Sequence, residues 1–262
     1  DFYGFVVPFV NELQRLSRDA GVPVKIRACD TMGYGVPFTE AALPRSVAGI
    51  IYGLQHYSDV PSEHLEWHGH NDFYKGVANA STAWLYGACA VNCSLLGIGE
   101  RTGNVPLEAM GFEDASLRGS LDGMDTTVIT EIADYFKNEI GYNIPPMTPF
   151  VGSAFNVTRA GVHADGLMKD EEIYTIFDTK KILNKPATVQ ISKTSGLAGV
   201  AYWLNQTYGL EDGEKLDKKS PLVIAMKEWV DQQYEDGRQT VMTERELKEK
   251  IRQLAPDFAE RG

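Results

Sequence analysis

The chain has 262 residues, 43% of them hydrophobic, and carries 36 acidic against 25 basic side chains for a formal net charge of −11. That length and apolar content allow one large α/β domain or a domain with an appendage, while the acidic balance argues against the clustered basic surface that non-specific nucleic-acid binding needs. No apolar run approaches the roughly 20 residues of a membrane span, so the expected partner is a small molecule, with no nucleic acid and no membrane.

The N-terminus lacks the charged-then-apolar pattern of a signal peptide. Asp1 stands where an initiator methionine would, and Phe2, Phe5, Val6, Phe9, Val10, Leu13 and Leu16 follow at helical spacing. The chain therefore reads as a piece of something longer that opens on a buried helix ending at Gly21. Cys29, Cys89 and Cys93 are odd in number and form no C-x-x-C pair, which points to reduced thiols in a cytoplasmic protein.

Val24 to Cys29 reads as a strand delivering Asp30-Thr31 to its C-terminal end, followed by a glycine-rich loop and a helix from about Pro44 to Tyr57. Leu65 to His70 is the second strand, Phe73 to Gly87 a helix with Val77, Ala80, Trp84 and Leu85 on its apolar side, and Val91 to Leu96 the third strand. Strands alternating with helices at this spacing imply βαβ units and a parallel sheet. All three strands carry polar residues at their C-terminal ends, where α/β folds place active sites.

Strand side chains alternate faces, so His68 and His70 point to the same side. Two imidazoles side by side make half a metal site, and a catalytic site needs about three protein ligands with open positions for substrate. Asn104 and Glu100, in the turn after the third strand, are candidate oxygen donors. The alternative is a pair of hydrogen-bonded core histidines beside a turn that the glycines merely shape, and the spacing leaves both readings open.

Pro106 to about Leu117 reads as a short helix, and Gly119 to Gly123 as the boundary of the first region. Thr126 to Ile140 is an amphipathic helix, and Pro145-Pro146-Met147-Thr148-Pro149 a rigid extended linker. Beyond it come helices over Ser195 to Tyr208 and Pro221 to Tyr234, and one opened by a Thr243-x-x-Glu246 capping box. The second region is expected to be largely α.

Four motifs then stand in order: Asp30-Thr31-Met32-Gly33-Tyr34, His68-Gly69-His70-Asn71-Asp72, Gly97-Ile98-Gly99-Glu100-Arg101-Thr102-Gly103-Asn104, and Ala160-Gly161-Val162-His163-Ala164-Asp165-Gly166. In that order they resemble the 2-isopropylmalate and homocitrate synthase family of HMGL-like TIM-barrel acyltransferases. The resemblance implies an α/β fold, the C-terminal half of a (β/α)8 barrel over residues 1–118, followed by a linker and mostly helical subdomains over 119–262. The Asp-Arg-Glu motif of the family's first strand has no counterpart before Asp30, which takes one metal ligand out of reach.

The same resemblance implies a metal-dependent enzyme that joins acetyl-CoA to a 2-oxo acid and hydrolyses the thioester. It makes His68, His70 and Asn104 ligands of a divalent cation (Mn, Mg or Zn), Thr31 a hydrogen-bonding partner of the acid, and Glu100 an orienting group. For Thr31 a strand-end cap, and for Glu100 a buried ion pair with Arg101, are the competing structural roles. His163 and Tyr174 correspond to the family's His and Tyr pair, which works in the partner subunit's active site and so implies a homodimer with shared sites.

The phrases His70-Asn71-Asp72-Phe73-Tyr74-Lys75, Phe155 to Ala160 and Glu172 to Asp178 look most like the Re-type citrate synthases within this family, which implies oxaloacetate as the acid and citrate as the product. Isopropylmalate or homocitrate synthesis is the alternative, and a non-catalytic or regulatory fragment a reading from another class. A dinucleotide-binding oxidoreductase would need a Gly-x-Gly-x-x-Gly turn, and Gly97, Gly99 and Gly103 miss that spacing.

Overall fold

A computed structural model describes residues 1–170 and 178–260, and the chain divides into two compact units, Asp1–Met124 and Asp125–Gly262.

The first unit opens with a π-turn over Phe2–Val6 that runs into helix α1, Val7–Ala20. Gly21, in the left-handed region, stops the helix, with its N–H donating to the Arg18 carbonyl and that of Val22 to Ser17. The helix is not buried as its apolar stripe suggested. Phe2 and Val10 enter the core, while Phe5 is 64% exposed and stacks on exposed Phe9 at 5.8 Å. A helix buries only the side that meets a neighbour, and the stripe here is wider than that side.

Strand β1 (Ile26–Asp30), helix α2 (Val47–Tyr57), strand β2 (Leu65–Gly69), helix α3 (Gly76–Leu85), strand β3 (Ala90–Ser94), the short strand β4 (Val105–Pro106) and helix α4 (Leu107–Arg118) follow. All four strands are parallel and lie in the order β1-β2-β3-β4. Sequential order with crossover helices between β1, β2 and β3 is the winding of a (β/α)8 barrel. A doubly wound sheet reverses its order at a switch point. The fold class is α/β, as the alternation of elements implied.

Ser46 starts α2 by accepting a hydrogen bond from the Gly49 N–H at 3.0 Å, which places the helix start three residues after the expected Pro44. In α3, Ala80 and Ala83 are the fully buried positions. Leu85, expected on the apolar side, is the helix's last residue and is exposed.

The register sets the character of the two sheet faces. Ile26, Leu65 and Trp67 point into a core shared with Val47, Ile51 and Leu54 of α2. Arg27 stands beside Glu66, Cys29 beside His68, and His68 beside Asn92 on the opposite face. Glu66 accepts from Lys25 at 3.0 Å and from Arg27 at 2.9 Å, so the lower part of this face is an ion-paired layer and the upper part carries the histidines. Burying a side chain the size of Leu54 contributes about 1.5–3 kcal/mol, and the apolar face is where such terms accumulate.

The second unit contains helices α5 (Val128–Asn138), α6 (Gly161–Lys169), α7 (Thr179–Leu183), α8 (Leu197–Thr207), α9 (Pro221–Glu235), α10 (Glu244–Leu254) and α11 (Pro256–Ala259). It also holds a two-stranded parallel ladder, β5 (Val157–Thr158) with β6 (Thr188–Val189), which the sequence reading missed because each strand has only two residues. Leu204, Met226, Leu247 and Ile251 centre its core. The Thr243 capping box forms, with Glu246 reaching back to the Thr243 N–H at 2.8 Å.

Pro145 to Pro149 is not an extended linker. Thr148 N–H donates to Pro145 O, Gly152 N–H to Thr148 O and Ala154 N–H to Pro146 O, so the stretch folds into consecutive turns inside the second unit. Proline fixes φ near the value of a turn's second residue as readily as that of an extended chain, and the glycine at 152 lets the backbone close.

Candidate functional site

The site lies at the C-terminal ends of β1, β2 and β3, where three loops meet. Parallel strands end together, so each loop begins at the same level of the sheet. His68 is the penultimate residue of β2, and His70 lies just past the strand, bridged to Asn104. Their rings stand edge to face, centroids 5.2 Å apart at 85°, on the common side that the alternation of a strand implies. His70 is buried, and its Nδ1 has no hydrogen-bond partner among the described residues. Burial, with smaller contributions from His70 and Arg27, pushes the pKa of His68 below its usual value. That favours the neutral imidazole, the form that ligates metals.

Asn104 reaches the pair through a tightly wound turn. A 3-10 turn over Leu95–Gly97 ends β3, with Leu96 at φ 58°, and Arg101 at φ 56° and Gly103 at φ 93° follow. Left-handed conformations at two non-glycine residues cost about 1–2 kcal/mol each and persist only where the surroundings hold them. The Asn104 N–H donates to Gly97 O at 3.0 Å, the Asn71 N–H to Gly103 O at 3.0 Å, and the Asn104 carboxamide N–H to Gly69 O at 3.4 Å. A Cβ at Gly103 would stand 2.1 Å from the Gly97 carbonyl, and one at Gly99 would stand 1.9 Å from the Asn104 side-chain oxygen. The glycines of the motif are required by this close approach.

Two imidazoles and a carboxamide, one imidazole nitrogen of them buried without a partner, fit a divalent cation of borderline character. Among the described residues no group of three or more His, Cys, Asp or Glu side chains gathers at one point, so no carboxylate or thiolate joins the two imidazoles there.

The other expected site residues fall differently. Thr31 is exposed just beyond β1, and its carbonyl accepts from the Arg101 guanidinium at 2.5 Å. Glu100 does not form the buried ion pair considered for it: its side chain is 86% exposed and its carboxylate is 4.0 Å from Arg101. Glu100 stays on the solvent side of the turn, while the partly exposed Arg101 guanidinium pairs with Asp72. His163 is exposed on α6 of the second unit, and Tyr174 lies outside the described residues.

Sequence reasoning placed Asp30 and Asp72 in the motifs without finding their partners, and missed Glu108. Asp72 pairs with Arg101, whose hydrogen bonds hold the carboxyl below its usual pKa. Asp30 caps its own loop, accepting from the N–H groups of Tyr34 and Gly35 at 2.9 Å each. Glu108, buried on α4, accepts from the Leu96 N–H at 3.1 Å, and desolvation pushes its pKa up. An aspartate ending a strand before Gly and Tyr is a readable loop cap, whereas nothing in the spacing shows that residues 72 and 101 meet.

A model of the HMGL-like family, whose enzymes generally depend on a divalent metal, matches residues 6–135. The chain is 57% identical over 261 residues to Citrate (Re)-synthase of Clostridium kluyveri, covering 100% of this chain and 58% of that protein. It is 53% identical over 258 residues to Citrate (Re)-synthase of Syntrophus aciditrophicus, covering 98% and 41%. To 2-phosphinomethylmalate synthase of Streptomyces hygroscopicus it is 34% identical over 247 residues, covering 93% and 54%. The chain spans about half the length of these curated relatives. With its ordered motifs and sequential parallel sheet, the chain carries an HMGL-like domain over residues 6–135.

Proposed function

We propose that the protein carrying this chain condenses acetyl-CoA with a 2-oxo acid, oxaloacetate giving citrate, and hydrolyses the resulting thioester. The observation that carries this reading is the 57% identity, along the whole chain, to a protein named Citrate (Re)-synthase. Relatives named for isopropylmalate and homocitrate synthesis stand at 30% identity. The first unit is the second half of a (β/α)8 barrel, a reading supported by its sequential parallel strands.

In this reading His68, His70 and Asn104 hold a divalent metal, which supplies Lewis-acid polarisation of the acid's ketone. Thr31 hydrogen-bonds the acid, and Glu100, on the solvent side of the turn, orients groups that enter above it. His163, with Tyr174, takes a proton from the acetyl methyl group; the electron pair released forms the bond to the ketone carbon, and the ketone oxygen gains a proton. Water then cleaves the thioester, freeing CoA and the new carboxylate. The pair acts across a homodimer, so each site is shared, and the protein is cytoplasmic. Among the described residues no helix is long and apolar enough to cross a membrane.

The test is an assay of CoA release by the full-length protein with oxaloacetate, 2-oxoglutarate, 2-oxoisovalerate and pyruvate. Oxaloacetate is the expected preferred acid. Preference for 2-oxoisovalerate or 2-oxoglutarate would assign the chain to the isopropylmalate or homocitrate branch, and no release with any acid would favour a non-catalytic role.

A further inference from the structure

The loops around the histidine pair converge on one guanidinium. Arg101 donates through Nε to one Asp72 oxygen at 2.8 Å and through Nη2 to the other at 3.1 Å, a two-pronged contact, and Nη2 also donates to the Thr31 carbonyl at 2.5 Å. Thr31 belongs to the loop after β1, Asp72 to the loop after β2, and Arg101 to the turn between β3 and β4. Asp72 is two residues from His70, and Arg101 three from Asn104. The far end of the same turn is pinned by Glu108 through the Leu96 N–H.

We propose that Arg101 is a positioning residue: by locking these three loops it places the Asn104 carboxamide beside His68 and His70 and so sets the affinity of the site for a divalent metal. The inference rests on the reading of those three residues as metal holders. Arg101 is named for no role in that reading. A pair made only to stabilise the surface would not need its arginine in a left-handed backbone at φ 56°. Nor would it need a third contact to a carbonyl 70 residues away. Lysine cannot replace it, because an ammonium lacks the flat fork that meets both carboxylate oxygens while a further N–H reaches the carbonyl.

The experiment uses the full-length protein and its Arg101→Met, Arg101→Lys, Asp72→Asn and His68→Ala variants. Mn2+ affinity is measured by calorimetry, the visible spectrum of the Co2+ form reports ligand geometry, and a melting curve of the metal-free protein reports the fold. Groups that orient metal ligands typically change metal affinity about 10–100-fold when removed. Arg101→Met should weaken Mn2+ binding by about that factor and alter the Co2+ spectrum, with Arg101→Lys between it and the parent. Asp72→Asn should add little to Arg101→Met, since the two act as one contact.

A folded Arg101→Met protein with parental affinity and spectrum, whatever its melting temperature, overturns the proposal. Should Arg101→Met not fold, Arg101→Lys decides: weaker Mn2+ binding supports the proposal and unchanged binding overturns it. His68→Ala separates the two readings. If it binds Mn2+ as the parent does, the metal site itself is wrong and Arg101 falls with it. If it loses Mn2+ while Arg101→Met does not, only the role of Arg101 is wrong.

Discussion

Gly99 approaches Asn104 so closely that a Cβ on it would stand 1.9 Å from the side-chain oxygen of Asn104. No real contact is that short, so Gly99→Ala must push the carboxamide aside. The expected result is a loss of divalent-metal affinity, with little change in the melting temperature, because the displaced group lies in a loop. Gly111→Ala is the counterpart. That glycine sits inside α4 with nothing within 4 Å of its added Cβ, so the change should stabilise the protein by about 0.5–1 kcal/mol and leave the site alone. Metal titration beside denaturant unfolding of the two variants checks both halves.

Glu246 gives the second unit an acid-sensitive contact. Hydrogen bonds from Arg238, then from Thr243, lower its pKa from 4.5 to about 2. A carboxyl depressed in the folded state contributes stability that is fully present above pH 4.5 and is lost as the pH falls toward about 2. Melting temperatures measured across that window should fall less steeply for Glu246→Gln than for the parent. Equal slopes would mean that the pair does not survive in solution.

Cys93 should be the slow thiol. Burial, with a smaller contribution from Glu108, pushes its pKa up to about 11, and its side chain packs against the first unit's core, whereas Cys89 is exposed. Because the thiolate is the reactive form, Cys93 should be alkylated at pH 8 far more slowly than Cys89. Mass spectrometry of a timed iodoacetamide reaction reads the order, and faster labelling at Cys93 would contradict the burial.

His163→Ala should lower turnover about 10²–10⁴-fold, the usual contribution of a general base, without affecting metal binding. Mixing that protein with His68→Ala, each inactive alone, should restore activity in hybrid dimers that contain one intact composite site. Hybrids that form and stay inactive would rule out a shared site. If His163 only packs its helix, the loss would appear instead as a lowered melting temperature.

Local pattern determined much of this protein from the sequence alone. The alternation of strand and helix, the same-face placement of His68 and His70, the Gly21 stop and the Thr243 capping box follow from periodicities and caps that act over a few residues, and all are found in the structure. Tertiary structure decided what depends on distant partners. The exposure of Phe5, Phe9 and Leu85 reflects which side of each helix finds a neighbour, and the proline stretch folds into turns because its carbonyls meet N–H groups three to eight residues on. Glu100 faces solvent, while Arg101 reaches Asp72, 29 residues away, and the Thr31 carbonyl, 70 residues away. A side-chain period can say which face a residue is on, but only the folded chain can say which charge waits there.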